Sequence, residues 1–122
     1  LPVALRFDPI ATVIQAFENL YPGKSTTVTF RVIDDEPAAG FADFSARGKP
    51  QVVIDPRWPY ISVLGILVHE LAHVVAGLRA GHGKKWQAAQ SAIHEEYNRL
   101  VRERGGKIEV VVDQGTMNGL PR

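Results

Sequence analysis

The chain has 122 residues, 45% of them hydrophobic and 22% charged, with a net charge of +1 and no cysteine. This length and apolar content specify one domain, residues 1–122, with a core of its own, and the missing cysteines exclude disulfides and thiolate metal sites. No apolar run reaches the roughly 18 residues of a membrane span, because His69, Glu70 and His73 interrupt the longest one, so no membrane partner is expected.

Asp8-Pro9 predicts a helix start, with aspartate capping free amides and proline at the first helical position. Ile10, Val13, Ile14, Phe17 and Leu20 follow at helical spacing until Tyr21-Pro22-Gly23 ends the run. Thr26 to Ile33 reads as a strand, with Val28, Phe30 and Val32 alternating against Thr29 and Arg31. Asp34-Asp35-Glu36-Pro37 breaks it, and three adjacent acids without further ligand spacing are expected to be a solvated turn. Gly40 to Asp55 predicts a hairpin, Phe41 to Ala46 and Gln51 to Asp55, turning through Arg47-Gly48-Lys49-Pro50. Asp55-Pro56-Arg57-Trp58-Pro59-Tyr60 then leads into a helix, with Trp58 placed either on a cleft wall or over the core.

That helix carries His69-Glu70-Leu71-Ala72-His73. Histidines four apart share one helix face and can hold one metal ion, with Glu70 beside them as a base for water. With His69 at zero, Val63, Leu64, Leu67, Val68, Leu71, Val74, Val75 and Leu78 occupy an arc of about 120 to 260°. The histidine face is small, with Ser62, Gly65, Ala72, Ala76, Gly77 and Ala80 around a single bulky Ile66, and is expected to leave room for ion, water and substrate.

A catalytic zinc takes three protein ligands and keeps one position open. A histidine six residues after His73 is absent, since that position is Arg79, and His82 is the next candidate. On an unbroken helix His82 would lie about 13 Å beyond His73, so the chain must turn back. Gly77, Gly81 and Gly83 supply residues that stop helices and permit positive φ. A second long helix is predicted from Lys84 to about Arg104, with Trp86, Ala89, Ile93, Tyr97 and Leu100 as its apolar stripe. Glu96, at the edge of that stripe, is the alternative third ligand, whereas Glu95 points away. Gly105-Gly106 breaks the helix, Lys107 to Asp113 reads as a last strand, and residues 114–122 as a loose tail.

His69-Glu70-Leu71-Ala72-His73, followed by Gly81-His82-Gly83-Lys84-Lys85-Trp86, resembles the SprT-like metalloprotease domain, a family that includes the Spartan proteases acting on proteins crosslinked to DNA. The resemblance implies a small α+β zincin-like domain: an N-terminal helix, a short mostly antiparallel sheet, the metal helix and a second long helix. It implies His69, His73 and His82 as ligands of one Zn2+ ion and Glu70 as general base. It implies a polypeptide substrate, paired in extended form along the 41–55 hairpin. Many members carry a cysteine-rich zinc ribbon after the protease domain, and this chain has none of its cysteines.

The expected activity is peptide hydrolysis by a metal-activated water, with Tyr97, His94 and Arg79 as candidate donors to the oxyanion. The alternative is a non-catalytic zinc-stabilised protein- or nucleic-acid-binding module, which would have no use for Glu70. From Arg79 to Lys107 seven basic residues face three acids, whereas the first 78 residues carry a net charge of −2. This 79–107 region reads either as a solvated helix face or as a contact for DNA. Absent cysteine fits either redox compartment; a cytoplasmic, trimmed chain is the working expectation.

Overall fold

The computed structural model describes residues 8–35, 37–45 and 49–103. In chain order these form α1 (Pro9–Leu20), β1 (Thr27–Phe30), β2 (Gly40–Asp43), β3 (Gln51–Ile54), α2 (Tyr60–Ala76) and α3 (Lys84–Glu103). The expected strand over Lys107 to Asp113, the break before it and the tail lie outside the described residues, as does the turn at Arg47-Gly48. No helix among the described residues is long and apolar enough to cross a membrane.

Helix α1 starts as its sequence requires, Asp8 accepting from the Ala11 N–H at 3.1 Å with Pro9 in the first turn. Its buried face, Val13, Ala16 and Phe17, packs into a core shared with α2, α3 and β3. The sheet has the order β1-β3-β2. β2 runs antiparallel to β3 with Gly40 opposite Ile54 and Asp43 opposite Gln51, which is the expected hairpin. β1 runs parallel to β3 with Thr27 opposite Gln51, so the sheet combines one pairing of each kind. The central position of β3 explains why Val52, Val53 and Ile54 are buried in succession without alternation.

The first strand is shorter than its β-branched run suggested. Its ladder covers Thr27 to Phe30, with one further bond from Arg31 N–H to the Ile54 carbonyl at 3.0 Å. Phe30 and Val32 are 38% and 45% exposed, whereas Ile33 is buried. The reason lies at Asp55: its Oδ2 accepts the Ile33 N–H at 3.0 Å, which draws the chain off the ladder and turns Ile33 inward. The acidic turn behaves as a solvated one at the described positions, with Asp34 3.4 Å from Arg57 and Asp35 3.6 Å from Arg31, all with exposed charge.

Helix α2 is the centre of the molecule, and every residue from Val63 to Ala72 is buried. Its bulky arc meets the sheet, α1 and α3 as the periodicity requires. The small face departs from expectation: Ala72 is fully buried against Trp86 and Ala89 of α3. Small residues there let α3 approach α2, and the open space near the histidines comes from elsewhere. Leu78, placed in the bulky arc by counting, is exposed because the helix stops at Ala76. The stripe on α3 is buried at all five expected positions, Trp86, Ala89, Ile93, Tyr97 and Leu100.

Candidate metal centre and cleft

Helix α2 carries His69 and His73 one turn apart, with ring centroids separated by 4.9 Å. The helix ends where Gly77 adopts φ 95° and gives its N–H to the His73 carbonyl at 2.9 Å. Two tight turns follow, Ala80 N–H to Gly77 O at 3.2 Å and Gly83 N–H to Ala80 O at 3.1 Å, with Gly81 at φ 56° between them. Gly83 does not have positive φ; a Cβ there would sit tightly, 3.1 Å from the Ala80 carbonyl oxygen. Gln87, on the first turns of α3, holds the far side of the bend by donating Nε2–H to the His82 carbonyl at 3.0 Å.

The bend brings His82 Nε2 to 3.1 Å from His73 Nε2 and 3.3 Å from His69 Nε2. A zinc–nitrogen bond of about 2.0–2.1 Å and a tetrahedral angle require nitrogens about 3.3 Å apart. The three imidazoles therefore fit zinc in both donor type and spacing, and together they form a candidate metal site. Their exposure is graded, His69 buried, His73 half-buried and His82 exposed, so the cluster opens toward the surface on the His82 side. Burial, reinforced by the neighbouring His73 and His82 rings, pushes the His69 imidazole down to about 3, leaving it neutral with a lone pair to offer at ordinary pH.

Trp86 forms the floor of this arrangement. Its ring lies 4.8 Å from His69, 5.7 Å from His73 and 4.6 Å from His82 between centroids, and its Nε1–H donates to the His69 carbonyl at 3.1 Å. One aromatic plate thus limits the rotation of all three imidazoles. Helical spacing had marked Trp86 as buried without showing what it would be buried against.

Beside the imidazoles is a cleft of about 270 Å³ lined by Ala42, Phe44, Glu70, His73, Leu78, Gly81 and His82. Glu70 reaches it although only 2% of the residue is exposed, which places a carboxylate in a largely dehydrated wall next to the three histidines. Ala42 belongs to β2, the edge of the sheet, which pairs with β3 alone among the described strands, and Phe44 directly follows it. Ala42 and Phe44 lie on the 41–55 hairpin that the resemblance expects beside the substrate, whereas nothing in the sequence marked Leu78 as a lining residue. The signal available for the first two was their position on the hairpin arm before the metal helix.

The remaining candidates are not gathered here. Tyr97 is fully buried in the main core, with burial pushing its phenol up to about 12. His94 is half-buried on α3, and burial lowers its pKa. Arg79 is exposed on the loop before His82 and lines an adjoining depression. None of the three is among the described residues lining the cleft. Glu96 is committed elsewhere: its carboxylate accepts from Arg99 at 2.7 and 2.8 Å and from Asn19 at 3.0 Å, contacts that hold it down at about 2 and tie α3 to α1. Trp58 is 40% exposed and does not line the cleft.

No protein-family model matches the chain, and no curated protein matches it. Among solved structures it is similar to the crystal structure of the metallopeptidase zymogen of Pyrococcus abyssi abylysin, with 17% sequence identity and a TM-score of 0.51, covering 83% of this chain and 99% of that one. At that identity the likeness is one of fold: the chain has a metallopeptidase-like α+β fold, and within it three histidines converge as a potential metal site.

Proposed function

We propose that this chain is a zinc-dependent endopeptidase of the SprT-like kind, with His69, His73 and His82 holding one Zn2+ ion and Glu70 as general base. The observation that carries the reading is the convergence of three Nε2 atoms at 3.1 and 3.3 Å beside a cleft that Glu70 lines. A structural neighbour described as a metallopeptidase zymogen supports it at the level of fold.

A zinc ion held by His69, His73 and His82 would supply Lewis acidity, lowering the pKa of a bound water toward about 7 and polarising the peptide carbonyl. Glu70 takes a proton from the attacking water, whose oxygen forms the bond to the carbonyl carbon. As the C–N bond breaks, Glu70 passes that proton to the departing nitrogen. Its dehydrated setting keeps competing water away from the carboxylate. The edge of β2 that pairs with no other described strand would offer main-chain hydrogen bonds to an extended substrate, a mode that reads backbone more than side chains and tolerates many sequences.

The test compares wild type with Glu70→Gln. Zinc content by mass spectrometry under native conditions stays at one ion per chain in both, while casein cleavage falls by about a hundred- to ten-thousand-fold in the variant. His82→Ala loses the metal as well as the activity. A wild type that holds zinc but cleaves nothing, with or without DNA, would instead be a zinc-stabilised binding module.

A further inference from the structure

Leu78 is the most exposed of the large hydrophobic side chains among the described residues, at 72%. It stands on the bend between α2 and His82 and borders three depressions at once. One is the cleft itself. A second runs along β2 and includes Arg31, Asp35 and Asp43. A third contains Arg79, Lys84 and Lys85.

The charges of the last two differ in sign. No Asp or Glu occurs between Glu70 and Glu95, so the third depression has three cations and no acid from its own stretch of chain. Among the described residues none of Arg79, Lys84 and Lys85 has an ion-pair partner. In the depression along β2, two carboxylates face one guanidinium, which is 3.6 Å from Asp35. The surface around the cleft is therefore polarised, with an apolar side chain at the junction.

We propose that the depression of Arg79, Lys84 and Lys85 is an acidic-residue subsite of the peptide cleft, receiving Asp or Glu side chains on one side of an apolar residue seated against Phe44 and Leu78. The inference deepens the endopeptidase reading and rests on it for the identity of the cleft. Leu78 places apolar surface where the cleft and the cationic depression meet, so one extended peptide could touch both. Like-signed cations without partners raise the local concentration of anionic groups and reject cationic ones. A peptide is favoured over nucleic acid for two reasons. Among the described residues no aromatic side chain lines the depression to stack a base, and three cations are few beside the roughly 6–10 phosphate contacts of an established DNA surface.

The experiment uses fluorogenic peptides with one central leucine and a flank of Asp-Glu, Ala-Ala or Lys-Lys on either side. Acidic flanks on one side are expected to raise kcat/KM about ten-fold over neutral ones at low salt, and basic flanks there to lower it. The preference shrinks toward one as salt approaches 1 M, where the Debye length is about 3 Å. Lys84→Glu with Lys85→Glu inverts the order. In parallel, fluorescence anisotropy measures binding of the same peptides to zinc-loaded Glu70→Gln, which reports on the subsite without turnover. Cleavage of all peptides without charge preference overturns the inference and leaves the hydrolase. Acidic peptides bound in a Lys84- and Lys85-dependent way, with no cleavage by wild type, uphold the subsite and overturn the hydrolase. Tighter binding of a random-sequence DNA duplex than of any acidic peptide, released by the same charge reversal, overturns the inference in favour of a nucleic-acid surface.

Discussion

Trp86 donates its indole N–H to the main-chain carbonyl of His69 at 3.1 Å while its ring packs against the imidazole of the same residue, 4.8 Å away. The bond spans α3 and α2 and fixes how deeply the plate sits under the three histidines. Trp86→Phe retains an aromatic plate and removes the bond, so the fold is expected to survive while zinc binds about ten-fold more weakly, the usual lower bound for an outer-shell partner. Trp86→Ala empties a buried site and is expected to lose about 3–5 kcal/mol of stability as well. Competition with a chromophoric chelator separates the two, and equal zinc affinity in wild type and Trp86→Phe would deny the indole N–H any part in holding the site.

Gly77 and Gly81 determine whether His82 returns to the other ligands. Gly77, at φ 95° and ψ 162°, occupies a region that is nearly exclusive to glycine, where another residue costs about 1–3 kcal/mol. Gly81, at φ 56°, is in the left-handed region, where alanine costs about 1–2 kcal/mol. Both alanine variants are expected to bind less zinc than wild type, Gly77→Ala the less of the two. Gly23→Ala is the comparison, because a Cβ there meets no atom within 4 Å and its φ is not positive. Zinc titration of the three variants gives the order directly.

The convergence of the three histidines was legible because local rules fix it. Four-residue spacing puts His69 and His73 on one face whatever the tertiary structure, and ligand convergence then demands a bend that Gly77 and Gly81 can make. The helices were legible for the same reason, with Asp8-Pro9 marking a start and the Trp86 to Leu100 stripe a buried face. What the chain folds against was not. The inward turn of Ile33 depends on Asp55, distant in sequence, and Phe30 is exposed although its β-branched neighbourhood suggests burial. The cleft wall of Ala42, Phe44 and Leu78 exists only because β2 lies beside the end of α2, a juxtaposition no local period encodes.

Gly40 begins β2 where the strand crosses α2. A Cβ at this position would lie 2.6 Å from Ile66 Cγ2, 3.1 Å from Ile54 Cδ1 and 3.1 Å from the Val53 carbonyl oxygen. Gly40→Ala forces a shift at this contact, and movement of the strand off the helix is expected, with a loss of about 1–3 kcal/mol from overpacking. The same displacement moves Ala42 and Phe44, so cleavage is expected to fall while zinc content holds. Ile66→Ala removes the clashing methyl, and in a double-mutant cycle the pair is expected to be more stable than the sum of the single losses. Simple additivity by denaturant unfolding would show that the contact does not set the strand position.

Asp55 gives the fold an acid-sensitive point. Its buried carboxylate accepts the N–H groups of Ile33 and Arg57, each at 3.0 Å, and the Arg57 guanidinium at 2.7 to 3.1 Å. The Arg57 side chain first, with the two main-chain N–H groups, holds the acid well below the usual carboxylate range against the opposing effect of burial. A folded-state pKa below the unfolded value of about 3.9 means stability that is complete above about pH 5 and lost as pH falls through 4 toward the folded value. Asp55→Asn cannot carry the charge, so it is expected to melt several degrees lower at pH 7 and to show a shallower decline between pH 6 and pH 3. Scans with zinc removed by chelator keep histidine protonation and metal release out of the comparison. Because Glu96 is also depressed, to about 2, its own contribution remains in both proteins, and only the difference in slope belongs to Asp55. Parallel declines in the two proteins would mean that the ion pair with Arg57, more than half of whose side chain is exposed, is too well solvated to couple folding to protons.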